Sequence, residues 1–346
     1  MIDWQSRVRA SPELFPLTLD PATDQVELIA LQRVDYERAS FLDARLPPSQ
    51  MLPVSYAALA AAAAGMPARC DYIFHVGHVG STLLSRLLGV HPSVFSVREP
   101  QVLRTFAQVE LTDEPWRGDD FDARLSTLLA LFSRTWTPAQ RALVKTTSLV
   151  SELADRLLRA APRSRALLMT VRPETYLATI LGGPNSRVEL RTAAPARLAR
   201  LHRRIGGQGW DLGRLSEGEV AAMSWACEMA ALATAAAQQP GRTAWIDFEG
   251  FLREPRAGLA AALQHLHGAA DPEEVERLAR SAYFERYSKA PEYGYGPDVR
   301  RAVLDTARRE HAVEIHRGLA WLAAAARAYP SLVGPIESAA AFDHVA

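Results

Sequence analysis

The chain has 346 residues, 48% of them hydrophobic and 23% charged, an ordinary globular composition that excludes wholesale disorder. Lysine plus arginine number 39 and aspartate plus glutamate 39, so no global basic field exists to hold nucleic acid or an anionic membrane. The length suits one large α/β domain or two modest ones.

Residues 1–69 are punctuated by Pro12, Pro16, Pro21, Pro47, Pro48 and Pro53, which argues against a long helix before Ser55. Their apolar content, including Phe15, Leu28, Tyr36 and Leu42, is too high for a free tail, so the expectation is an extension packed on the core. From residue 70 to 346 the texture changes. Short apolar runs at 72–76, 94–97, 142–145, 166–171 and 243–248 alternate with helical periods, the pattern of βαβ units in a parallel sheet. Long helices are expected at 216–239 and 297–329. The fold class is therefore α/β, a three-layer parallel sheet of about five strands with flanking helices.

Cys70 and Cys227 have no companion at disulfide or zinc spacing and suit a reducing cytoplasm. The opening residues lack the basic-then-apolar pattern of a secretory signal. The alanine-rich runs 57–64 and 230–237 fall short of the roughly 18 apolar residues that a membrane helix needs. A cytoplasmic protein without a membrane span is expected.

The most informative stretch is Gly77-His78-Val79-Gly80-Ser81-Thr82, between the first predicted parallel strand and an apolar helix at 81–88. Glycine allows backbone amides to converge on an oxyanion, and the helix adds its unpaired N–H groups and positive dipole end. Ser81 and Thr82 suit either a helix cap or a phosphate oxygen. A nucleoside-triphosphate loop would need lysine where Ser81 stands and glycine where His75 stands. Charge stabilisation of triphosphate cleavage is thereby missing.

The loop resembles instead the 5′-phosphosulfate loop of sulfotransferases that use 3′-phosphoadenosine 5′-phosphosulfate (PAPS), of the bacterial and protein-tyrosine type. The resemblance implies that Thr82 and the backbone of Val79 to Thr82 hold the 5′-phosphate. The family commonly has lysine or arginine where this chain has His78, so the catalytic cation is either His78 or another group. The segment Arg98-Glu99-Pro100 is similar to the family's element after strand two, which implies Glu99 as general base; a helix-capping carboxylate is the structural alternative. Lys145 in Val144-Lys145-Thr146-Thr147 occupies the family's lysine position, with Thr147 where cytosolic members carry histidine. It is a second candidate cation, or a solvated strand-end lysine. Val171-Arg172-Pro173 with Thr179 resembles the 3′-phosphate element, one residue tighter than usual, and an arginine fork suits a phosphate monoester. Ser288 and Lys289 lie where the family folds a basic loop over the donor. The segment 245–255 resembles a structural element after strand five.

The resemblance, carried by five elements in order between residues 71 and 297, implies sulfuryl transfer from PAPS to a hydroxyl or amine without a metal. The acceptor would be a small molecule, carbohydrate, lipid or peptide. A divergent small-molecule kinase and a nucleotide-binding scaffold without catalysis are the competing readings. The arginines between 187 and 204 place Arg197, Arg200 and Arg204 on one helix face, expected to be solvated or else to meet an anionic ligand. His265 with His267, and His311 with His316, lack zinc geometry. No serine-hydrolase elbow is present.

Overall fold

The N-terminal residues, which proline punctuation marks only as an extension, form an antiparallel sheet of three strands: β1 (Leu14–Asp20), β2 (Gln25–Ala30) and β3 (Met51–Ser55), in the order β1-β2-β3. The computed structural model describes residues 3–47, 50–286, 294 and 296–340. The prolines sit where a ladder tolerates a missing donor. Pro16 lies at a register shift in the edge strand β1, and Pro53 lies in the edge strand β3. Phe15, Val26, Leu28 and Ile29 are buried, and Phe15 stacks on Phe132 of the helix Gly118–Phe132 at 5.7 Å between ring centroids.

The parallel sheet contains β4 (Asp71–His75), β5 (Val94–Arg98), β6 (Arg141–Lys145), β7 (Ala166–Thr170) and β8 (Thr243–Asp247), in the order β5-β6-β4-β7-β8. The five expected runs are found within about one residue at each end. Every residue of β4, β5 and β7 is buried, which explains why these strands read as continuous apolar runs rather than alternating ones. The chain leaves β4 for one side of the sheet and later returns to its other side. The carboxyl end of β4 is therefore a topological switch point, the place where open α/β sheets bind ligands.

Ser216 and Glu219 form a capping box at the start of the helix Glu217–Gln238, close to the expected 216–239. By length and composition this helix could cross a membrane, although the alanine-rich runs alone did not suggest it; 72% of its most apolar window is buried inside the fold. The helix expected at 297–329 is two, Pro297–Glu310 and Ala312–Ala328, separated at His311 with φ −112° and ψ 21°. The break lets the first segment pack on the helix Pro173–Gly182 while the second packs chiefly on Glu217–Gln238. Both cysteines are buried and free.

Candidate functional site

The loop after β4 is built around His75. Its Nε2 donates to Thr146 O at 2.8 Å, and its Nδ1 accepts the Gly77 N–H at 3.0 Å. The Gly77 amide is thus engaged within the loop itself. Gly77 (φ 97°), His78 (φ 54°) and Gly80 (φ 65°) all take left-handed backbone, which folds the loop tightly over the start of the helix Ser81–Gly89. At Gly80 a Cβ would overlap the ring of Phe248, so glycine is required both for φ and for space.

The helix ladder begins with Leu84 N–H donating to Gly80 O at 3.0 Å, which leaves the first-turn amides of Ser81, Thr82 and Leu83 without a partner inside the helix. Thr82 is 1% exposed, and its Oγ1 has no hydrogen-bond partner among the described residues. A buried hydroxyl without a partner costs roughly 1–3 kcal/mol, a cost that a bound oxyanion would remove. Val79 is a buried apolar part of the same turn.

Glu99 follows directly on β5 and also has left-handed backbone, φ 48°. A non-glycine residue there costs about 1–3 kcal/mol and persists only where its surroundings hold it. Here Glu99 N–H donates to Lys145 O at 2.6 Å. Leu42 of the N-terminal segment brackets the turn: its N–H donates to Arg98 O at 2.8 Å, and its carbonyl accepts from Gln101 N–H at 3.0 Å. The Arg98 guanidinium fixes the strap further, donating to the carbonyls of Tyr36, Glu37 and Ala39, and burial pulls its pKa down to about 9.

The parallel register of β5 and β6 sets Arg98 beside Lys145, so Glu99 and Lys145 emerge at one edge. Their side chains form an ion pair, with Lys145 1% and Glu99 7% exposed. Lys145 is thus a buried counterion and not a solvated strand end. Arg104, 3.5 Å from the second Glu99 oxygen, adds a partly exposed cation that the sequence reading did not single out.

His78 turns onto the helix Pro184–Ile205, with Nε2 3.3 Å from Glu189 and Nδ1 3.4 Å from Ser186 Oγ. Arg172 stands at the N-cap of the helix Pro173–Gly182 after β7 and is exposed; burial raises the Asp247 pKa, and the Arg172 charge offsets a part of that rise. Thr179 lies two turns on, its hydroxyl donating to Thr175 O at 2.7 Å. Asp247 caps the helix Phe248–Arg253 by accepting the Gly250 N–H at 2.7 Å, in keeping with a structural segment. Ser288 and Lys289 lie outside the described residues.

The arginine face expected in solvent is turned inward. Arg197 and Arg200 are each 3% exposed and converge on Glu228, which is fully buried in the helix Glu217–Gln238. A carboxylate in an apolar helix needs such partners. Glu228 was the signal that could have revealed the direction of the face.

No family model and no curated protein matches the sequence. The chain is similar to solved sulfotransferases. The sulfotransferase domain of the curacin biosynthetic pathway aligns at 14% identity and TM-score 0.39, covering 69% of this chain and 90% of that one. The sulfotransferase domain of the Synechococcus PCC 7002 olefin synthase gives 14% identity and TM-score 0.39, over 70% of this chain and 88% of that one. Sulfotransferase STF9 of Mycobacterium avium gives 13% and 0.36, over 71% and 77%. Likeness at this level does not carry an activity across.

Proposed function

We propose that this chain is a sulfotransferase that moves a sulfuryl group from PAPS to a hydroxyl or amine acceptor. The observation that carries the reading is Glu99: a strained, braced carboxylate at the carboxyl edge of the sheet, paired with Lys145, where the loop after β4 also ends. The residues fit the donor. The free first-turn amides and the unpartnered Thr82 hydroxyl would hold its 5′-phosphate, with Gly77, His78, Val79, Gly80 and Ser81 shaping the turn. Arg172 and Thr179 would hold its 3′-phosphate.

Glu99 accepts the acceptor proton while the acceptor oxygen bonds to sulfur and the bond from sulfur to the bridging oxygen breaks, releasing adenosine 3′,5′-bisphosphate. Protonation of Glu99 removes the counterion of Lys145. The ammonium charge then becomes available to the departing oxygen as that oxygen gains charge, so a single proton transfer serves both ends of the step. His78, held against Glu189, remains a second candidate cation.

Calorimetric titration tests the reading with adenosine 3′,5′-bisphosphate and, separately, ATP with Mg²⁺. Preference for the bisphosphate is expected, weakened roughly tenfold in Arg172→Ala through loss of a charge-assisted contact. Preference for ATP would favour a kinase. Tight bisphosphate binding without turnover on any acceptor would leave a scaffold.

A further inference from the structure

Glu99 offers two carboxylate oxygens, and they are not equivalent. Oε1 is closed by Lys145, which is 1% exposed. Oε2 lies 3.5 Å from Arg104 Nη2, and the Arg104 side chain is 43% exposed, so this oxygen faces the opening of the site. The same Nη2 stands 3.9 Å from Asp43 Oδ2 in the N-terminal segment. Charge-assisted hydrogen bonds run at about 2.7–2.9 Å, so Arg104 is divided between two carboxylates and closes on neither.

Asp43 is firmly held in this position. Its side chain is 7% exposed; burial opposes its charge, but hydrogen bonds from Arg45 hold its pKa below the ordinary value, with a smaller contribution from Arg104. Arg45 donates from Nε to Asp43 Oδ1 at 2.8 Å and rests its guanidinium 3.5 Å over the Phe41 ring. Gln101 Oε1 accepts the Ala44 N–H at 3.0 Å, which docks the segment on the start of the helix Val102–Thr112 that carries Arg104. The charged groups around Glu99 are thus Lys145 from β6, Arg104 from that helix, and Asp43 with Arg45 from the N-terminal segment. The Arg45 charge is favoured first by Asp43, then by Glu99 and by Glu189 on the helix Pro184–Ile205, which itself faces His78.

We infer that Asp43 is a positioning residue for Glu99: by sharing Arg104, it keeps Oε2 out of a full ion pair and leaves that oxygen open to the acceptor's proton. A carboxylate gripped by two close cations accepts a proton poorly, since opposite charge within ~4–6 Å favours the ionised form. The N-terminal segment therefore acts on the reacting group itself and not only on the turn beneath it. The role of Oε2 as proton acceptor rests on the function proposed above; the division of Arg104 does not.

Carbon-13 NMR of the full chain, labelled at the glutamate carboxyl, tests the division, with the Glu99 signal assigned by its loss in Glu99→Gln. Asp43→Asn should let Arg104 close on Glu99 and lower the Glu99 titration midpoint by about half a pH unit or more. Arg104→Gln should raise it. In the Arg104→Gln background, Asp43→Asn should move the midpoint less than about half as far, because only direct repulsion is then removed. An Asp43→Asn shift that is absent, or equally large without Arg104, would overturn this role. If Asp43→Asn folds poorly, Arg45→Gln at its exposed site replaces it. Freed from Arg45, Asp43 should draw Arg104 off Glu99 and raise the midpoint; an unchanged midpoint would overturn the role as well. Release of adenosine 3′,5′-bisphosphate from PAPS, with water as the acceptor, separates this from the function. A rate whose acid limb follows the NMR midpoint in each variant supports both. The expected NMR shifts with an acid limb that stays put uphold the division of Arg104 and remove Glu99 as the base. The same shifts in a chain that does not turn PAPS over uphold the division and count against the donor reading.

Discussion

The two edges of the parallel sheet use similar residues to opposite ends. At the amino edge, Asp71 accepts Arg165 N–H at 2.7 Å and Arg141 Nη2 at 2.9 Å. Arg242 there donates to the carbonyls of Leu158 and Ala161 at 2.6 and 2.7 Å. These charges close on the chain's own groups. At the carboxyl edge, Thr82 and Thr147 keep buried hydroxyls without partners among the described residues. Strained backbone gathers at this edge too, at His78 and Glu99. A buried hydroxyl without a partner among the described residues occurs at the amino edge as well, on Ser164, so what sets the carboxyl edge apart is its strained backbone and the Glu99–Lys145 pair. The N-terminal segment serves the carboxyl edge too, because Leu42, between β2 and β3, braces the turn that carries Glu99.

The sharpest way to break this division is Glu99→Gln. The amide keeps the shape but cannot take a proton, and it leaves Lys145 buried beside a neutral partner. Loss of general-base catalysis predicts transfer rates about a hundredfold to ten-thousandfold lower. Bisphosphate affinity, which depends on the loop and Arg172, should stay within about threefold. Single-turnover transfer measured alongside calorimetry checks both. Unchanged turnover would return Glu99 to a structural role at an edge no different from the other.

What could be read in advance follows from the range of each interaction. β4 to β8 were legible because strands of a covered parallel sheet are short apolar runs, wholly buried in β4, β5 and β7 and partly so in β6 and β8, and the loop because glycine, hydroxyl and helix start are contiguous. Glu99 and Lys145 each stood out beside a strand end. Their pairing did not, since it depends on the β5–β6 register across 46 residues. The arginine face at 197, 200 and 204 was legible as a face, but its inward direction depends on Glu228, a helix away. The N-terminal sheet was hidden because edge strands accept the very prolines that mark loops elsewhere.

At the amino edge the expected effect is on stability, and it depends on pH. Burial raises the Asp71 pKa to about 6 despite Arg141, from an ordinary value of 3.8. Between those values the folded chain binds the extra proton. The Asp71 contribution is therefore largest below about pH 4 and declines as pH rises through 6. The change amounts to roughly 3 kcal/mol, at 1.36 kcal/mol per pKa unit. Urea unfolding of wild type and Asp71→Asn at pH 4 and pH 7 isolates it: wild type should lose ground to the variant on going to pH 7. Parallel pH dependence in the two proteins would mean that the carboxylate is not buried as described.

The smallest effect tests why the carboxyl edge tolerates its strain. Gly80→Ala imposes a left-handed backbone on alanine and drives its Cβ into the Phe248 ring. Together these should cost about 1–3 kcal/mol in urea unfolding. A Phe248→Leu background separates the two penalties. Leucine vacates the ring position, so the steric part should vanish while the backbone part, on the order of 1 kcal/mol, remains. The double variant should then be more stable than the sum of the single losses predicts, the signature of residues in contact. Strict additivity would show that the ring does not press on the loop, and that glycine is needed at this edge for its φ alone.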